Sequence, residues 1–278
     1  MKGIDISEYQ TNVDYNKLKS QGIEFAIIRS GYGKNSNQKD SMFETHYNGL
    51  KKAGLKVGCY HFSYASTIEG AELEAENCLK FINGKQFDLP VFYDVEDEKT
   101  TGKADKYTIT KMCETFCNKI KNAGYNSGVY ASLYWFNSKM YVEELENKYY
   151  IWLAQWHDVI TAKFKVNLWQ YGKGEISGIK GEVDMNEIIN MESEKEKTGI
   201  YQNGSTVENV FADTDLKTKI GCLNRFETCE CLGIFQNRAI VRYKIDGTNI
   251  YKIGFVEWLG RCKMMDFFIR FNYRKFSR

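Results

Sequence analysis

Eight short apolar runs, the first five separated by amphipathic stretches, constrain this chain more than any single motif. The runs occupy residues 3–6, 25–29, 56–62, 89–96, 128–131, 150–156, 167–170 and 183–185, and amphipathic segments fill 15–21, 43–53, 68–82 and 108–123. Strands alternating with helices predict βαβ units and a mostly parallel barrel. The later connections are too short for full helices, so the second half of this region is expected to be β-rich. At 278 residues the chain exceeds one hydrophobic core, which predicts a large domain and a small one.

In a barrel of this kind reactive groups gather where strands end at the carboxyl face. Here those ends are loaded: Asp5 follows the first run, Arg29 the second, Tyr60 and His61 the third, Asp94 and Glu96 the fourth, and Tyr130 the fifth. Gln155 and Trp156 follow the sixth, Gln170 and Tyr171 the seventh, and Asp184 the last. Acids from three different strands, accompanied by aromatics, predict a carboxylate-rich cleft with sugar-stacking walls.

Asp94 and Glu96 sit in the run Leu89-Pro90-Val91-Phe92-Tyr93-Asp94-Val95-Glu96. Read as one strand, acids at i and i+2 share a face, with Cα atoms roughly 6.6 Å apart. Carboxyls that close cannot ionise independently, which separates a proton donor from a charged stabiliser. That is the chemistry of glycoside hydrolysis. The competing reading is a strand end running into the solvated loop Asp97-Glu98-Lys99, where acids are common.

Other chemistries find less support. With three histidines and no H-E-x-x-H, a metal-dependent peptidase is not expected, and neither a nucleophile elbow nor a phosphate loop is present. His61 reads as a structural, hydrogen-bonded histidine. Cys113 and Cys117 read as one helix face, and Cys222, Cys229 and Cys231 lack a fourth zinc ligand. No metal or cofactor is expected. The chain starts Met1-Lys2-Gly3-Ile4-Asp5, without a secretory leader or an apolar span, so synthesis in a cytoplasm, reduced thiols and no stable membrane insertion are expected.

A charged linker at 192–197 follows, and then composition changes. Runs at 207–210, 219–223, 226–235, 239–245 and 249–255 are short, β-branched and aromatic, with Asp246-Gly247 as a hairpin signal. Residues 198–260 therefore predict a small all-β barrel without a catalytic acid pair, fit for binding. Residues 261–278 carry six basic residues against Asp266 alone. That tail reads as a solvated terminus rather than a nucleic-acid or membrane anchor, and its role is left open among a terminal helix, a truncated second module and a segment altered by a reading-frame change.

Five pieces occur in order across residues 1–191: GIDISEYQ from Gly3, GLKVGCYHF from Gly54, PVFYDVE from Pro90, LWQY from Leu168 and GIKGEVDMN from Gly178. With them the region resembles family 25 glycoside hydrolases, the Chalaropsis-type lysozymes common among phage endolysins. The resemblance implies an α/β fold, a flattened TIM-like (β/α)5(β)3 barrel, and an N-acetylmuramidase that cleaves the β-1,4 bond between N-acetylmuramic acid and N-acetylglucosamine in bacterial peptidoglycan, reached through lysis or a separate pore. Residues 198–260 are similar to bacterial SH3-like wall-binding modules.

Carried over by position, the family's acids fall on Asp5, Asp94, Glu96 and Asp184. Glu96 is expected to be the general acid, its pKa raised by Asp94. Asp94 is left between covalent nucleophile and partner of the substrate acetamido group, and the resemblance favours the second, with net retention. Asp5 and Asp184 orient the pair. Tyr60, Tyr130, Trp152 and Trp169 are candidates for stacking or hydrogen bonding to sugar, with Gln155 and Gln170 beside them. Two rivals stay open: a chitin-type glycosidase acting on another N-acetylhexosamine polymer, and a non-catalytic wall-binding protein.

Overall fold

The structure, a computed structural model, describes residues 1–190, 199–235, 238–245, 248, 250–257 and 262–263. It divides into two compact units, Met1–Met191 and Glu192–Arg278.

The first unit is a closed barrel of eight strands in chain order: β1 (Lys2–Ile6), β2 (Phe25–Tyr32), β3 (Lys56–Phe62), β4 (Val91–Asp94), β5 (Ser127–Ser132), β6 (Tyr150–Ala154), β7 (Leu168–Glu175) and β8 (Glu182–Ile188). Neighbours from β1 to β7 pair in parallel. Strand β8 runs antiparallel to both β7 and β1 and closes the ring. Helices α1 (Tyr15–Ser20), α2 (Phe43–Ala53), α3 (Ile68–Phe81) and α4 (Lys106–Asn122) fill the first four connections, and the short α5 (Leu133–Ser138) and α6 (Val142–Leu145) the fifth. No helix lies between β6 and β7 or between β7 and β8 among the described residues.

Local chemistry explains these boundaries. Thr67 and Asp105 cap α3 and α4 by accepting from the backbone N–H groups of Gly70 and Thr108. Helix α2 buries Phe43, His46, Leu50 and Ala53 along one stripe and stops at Gly54, whose φ of 71° suits a residue without Cβ. Cys113 and Cys117 are buried together on α4, as their spacing predicted.

Strand alternation makes two cores. Outward side chains such as Ile4, Ile28, Val57, Tyr93 and Ile151 pack under the helices. Inward side chains Phe25, Ile27, Leu89, Phe92, Trp152 and Leu168 plug the barrel. The large inward rings fit because their neighbours are glycines: a Cβ on Gly3 would lie 2.4 Å from the Phe25 ring, and one on Gly128 2.6 Å from Phe92. The plug fills one end of the barrel and leaves the other to polar groups.

The second unit is an antiparallel sheet in the order β11-β10-β14-β13-β12-β9-β15, formed by β9 (Gly199–Gln202), β10 (Glu208–Phe211), β11 (Lys219–Leu223), β12 (Thr228–Phe235), β13 (Arg238–Lys244), β14 (Tyr251–Glu257) and β15 (Cys262–Lys263). Tyr201, Val210, Leu223, Cys231, Val241 and Val256 are among its core residues. The expected hairpin is present as β13 paired with β14 from Arg238↔Glu257 to Lys244↔Tyr251, although Asp246 and Gly247 lie outside the described residues. Strands β9 and β15 were missed in sequence. Because β15 pairs with β9, the sheet extends past the expected limit at residue 260. The linker at 192–197 and residues 264–278 lie outside the described residues.

Candidate active site

The polar end of the barrel collects the acids. Asp5 on β1 stands in register with Asp184 on antiparallel β8. Asp5 Oδ2 accepts hydrogen bonds from Gln170 Nε2 at 2.9 Å and Asn186 Nδ2 at 2.8 Å. Burial and the facing Asp184 carboxylate nevertheless push the Asp5 carboxyl up to about 7. Burial raises Asp184 as well, with Lys173 the cation that opposes the rise at both acids.

Asp94 is the last residue of β4 and only 7% exposed. Burial first, then the charges of Glu96 and Asp5, hold its carboxyl well above the usual range, with Arg29 acting in the opposite sense. Its Oδ1 is buried without a hydrogen-bond partner, as is Oδ1 of Asp184. A buried oxygen of this kind is costly unless a donor arrives.

Glu96 departs from the expectation of one continuous strand. Strand β4 ends at Asp94, and Glu96 lies two residues beyond it. The half-buried side chain is held from the next strand, where the Ser132 backbone N–H donates to Glu96 Oε1 at 2.6 Å. Glu96 is thus placed beside Asp94 by a cross-strand bond from β5 rather than by the pleat of β4 alone. The sequence assigns the proton donor to Glu96, and burial raises the carboxyl of its neighbour Asp94. Strand spacing carries no information on which acid is the more deeply desolvated.

The aromatic candidates separate. Tyr60 and Tyr130 are half-buried, and burial raises both phenols, so they remain hydrogen-bond donors at neutral pH. Tyr130 Oη donates to Gln170 Oε1 at 3.1 Å. Trp152, 1% exposed, is the floor beneath them, its ring 4.4 Å from Tyr130, its Nε1 donating to Asn186 Oδ1 at 2.8 Å. It shapes the cleft and offers no stacking face. Trp169 points to the opposite side of β7 from Gln170, packing outside the barrel with Nε1 donating to the Gln155 carbonyl at 2.8 Å. The Gln155 carboxamide is engaged with Thr161 in the β6–β7 loop.

Three further residues belong to the mouth. Asn186 bridges Asp5 and Trp152, and its i, i+2 spacing from Asp184 was the available signal. Trp156 donates through Nε1 to Gln170 Oε1 at 3.1 Å. Arg29 follows Phe25 and Ile27 on the inward face of β2; Nε donates to Asp40 at 2.8 Å and Nη2 to Glu8 at 2.7 Å, with the Tyr9 and Tyr32 rings 5.2 and 5.6 Å away. His61 points the other way, bonded to Ser30 and the Gly33 carbonyl, and burial lowers it to about 4. It is the structural histidine that its sequence position suggested.

Known proteins share the barrel and its sequence pattern. The pattern of Glycosyl hydrolases family 25 matches residues 4–179. The chain is 31% identical over 193 residues to the autolytic lysozyme of Clostridium acetobutylicum, a match that covers 68% of this chain and 56% of that protein. It is 27% identical over 203 residues to lysozyme M1 of Streptomyces globisporus, covering 68% and 67%. The chain thus spans little more than half the length of the first of these relatives. Among solved structures, the catalytic domain of endolysin ply40 from bacteriophage P40 of Listeria monocytogenes superimposes with a TM-score of 0.59 at 26% identity, over 68% of this chain and 93% of that one. With its eight-stranded barrel, its acids at one end and the family pattern running through most of the barrel, the chain belongs to glycosyl hydrolase family 25.

Proposed function

We propose that the protein is an N-acetylmuramidase that cleaves the β-1,4 bond between N-acetylmuramic acid and N-acetylglucosamine in peptidoglycan. The observation that carries this reading is the buried, unpartnered Oδ1 of Asp94 beside Glu96. A 2-acetamido sugar brings an N–H that such an oxygen lacks. Accepting that bond favours the ionised Asp94, which leaves Glu96 as the neighbouring carboxyl to serve as proton donor.

In the reaction, Glu96 protonates the departing O4 of N-acetylglucosamine as the muramic C1–O bond breaks. The acetamido oxygen of the muramic residue closes on C1 from the opposite face, its N–H held by Asp94. Water then attacks C1, Glu96 takes the water's proton, and the configuration is retained. Asp5, tied to Gln170 and Asn186, and Asp184 set the charge around this pair. Tyr60, Tyr130 and Gln170 supply hydrogen bonds to the sugar. The second unit serves as an SH3-like wall-binding module and localises the enzyme at the bacterial wall. No helix among the described residues is long and apolar enough to cross a membrane.

Glu96→Gln removes only the proton donor, so hydrolysis should fall by about 10²–10⁴ while binding to purified walls persists. Mass spectrometry of the released fragments should show muramic acid at the new reducing ends. Reducing-end glucosamine, or equal cleavage of chitin, would give the reaction to the chitin-type alternative. Full activity in Glu96→Gln would remove Glu96 from the mechanism.

A further inference from the structure

The β6–β8 side of the barrel carries a feature that the acid cleft does not use. No helix follows β6 or β7 among the described residues, and at one end of β7, β8 and β1 a patch of outward side chains stays open to solvent. Trp169, Glu187 and Lys2 form one row across three strands, in register as Trp169↔Glu187 and Glu187↔Lys2. Tyr171 follows Trp169 on β7, their rings 5.5 Å apart. The loop after β6 brings Trp156, His157 and Asp158 against this row, and together these seven residues line a cavity of about 560 Å³.

Both indoles are fixed before any ligand arrives. Trp169 Nε1 is bonded to the Gln155 carbonyl and Trp156 Nε1 to Gln170, while Gln155 is pinned to Thr161 on both sides of its carboxamide. Trp156 remains 58% exposed. Lys173 lies 5.4 Å from its ring centroid, and Lys173 also acts on Asp5 and Asp184. A single indole therefore stands between the catalytic mouth and the outer cavity.

Rigid, partly exposed rings with polar groups around them suit a saccharide. Pyranose C–H faces pack on aromatic faces, hydroxyl groups bond to charged side chains, and preorganised rings lose little entropy on binding. Lys2 and Glu187 make no ion pair among the described residues and are available to hydroxyls. We propose that this cavity is a second sugar site outside the catalytic mouth, which holds an N-acetylhexosamine ring of a glycan. The choice of polymer rests on the muramidase reading; the site itself does not.

The test uses the full chain carrying Glu96→Gln, so that the probe is not consumed, with ¹⁵N-labelled tryptophan and a tetramer of N-acetylglucosamine. The Trp156 and Trp169 indole N–H resonances should shift and saturate, and Tyr171→Ala and the exposed-loop variant His157→Ala should each weaken that titration by about fivefold or more, with Tyr171→Phe close to the parent. Shifts confined to Trp152 in the barrel interior, no shift at millimolar tetramer, or titrations indifferent to both alanine variants would overturn the proposal. Hydrolysis of peptidoglycan by the unmodified chain is scored separately. Hydrolysis without the outer-site shifts removes only this site, and shifts without hydrolysis remove only the muramidase reading.

Discussion

Glu96 is bound to Ser132: the backbone N–H at the end of β5 donates to Glu96 Oε1 at 2.6 Å, while Asp94 terminates the neighbouring β4. One acid is thus set by its own strand and the other by the strand beside it. The spacing of the pair depends on β4–β5 register, which aligns Asp94 with Tyr130, as much as on Val95, the one residue between them.

Ser132→Pro tests that dependence. Ser132 has φ −70° and ψ 161°, which a proline adopts without strain, and Ala131 before it is extended in β5 as a pre-proline residue should be. The substitution deletes the N–H and little else. We expect kcat to fall at least about tenfold with the thermal midpoint nearly unchanged, whereas Ser132→Ala, which keeps the N–H, stays near wild type. Equal activity in the two variants would show that Glu96 needs no anchor.

Asp5 should make stability depend on pH. Its folded pKa of about 7 lies above its ordinary value, so the folded state binds more protons than the unfolded chain between roughly pH 4 and 7. The stability that this proton carries is therefore full below the unfolded value and is lost as pH rises to about 7, with a ceiling on the order of 4 kcal/mol. In Asp5→Asn, whose amide oxygen can still accept from Gln170 and Asn186, the fall in denaturant midpoint from pH 4.5 to pH 8 should be visibly shallower than in wild type. Parallel profiles would assign the drop to other groups.

Much of this architecture was legible. All eight barrel strands announce themselves as apolar runs, because each buries at least one face, and the acids at their ends survive as polar interruptions. What sequence could not convey was depth and direction around the closed ring. Trp152 and Trp169 read alike as strand-end aromatics, yet parity of the pleat sends one into the barrel and the other outside it. The end of β4 was misplaced because Val95 is still buried and its N–H still donates to the Tyr130 carbonyl, so the apolar pattern runs past the last residue of the strand. In the second unit, β9 and β15 are too short for a periodic signal and exist through pairing, β9 with β12 and β15 with β9.

The glycine at position 128 should be irreplaceable. A Cβ there would sit 2.5 Å from the Tyr150 backbone oxygen and 2.6 Å from the Phe92 ring, and a neighbouring strand's carbonyl cannot swing aside. Gly128→Ala should cost about 1–3 kcal/mol or more through overpacking, read as a lower denaturant midpoint. A midpoint within experimental error of wild type would mean that the barrel plug is looser than its contacts indicate.

Cutting the chain after Met191 separates two units that each own a core, so residues 1–191 should fold alone with the barrel's chemistry complete. If the second unit holds the enzyme on the wall, its contribution is an effective concentration at the substrate surface, a gain available only when the substrate is itself part of a wall. Lysis of intact cells should then drop by about tenfold or more in the shortened protein, while turnover of a short soluble glycan stays close to that of the full chain. Adding high salt should narrow the difference on cells if attraction of basic residues to an anionic wall contributes to retention. Equal losses on cells and on the soluble glycan would instead make the second unit a support for the barrel, and the wall-binding assignment would fall.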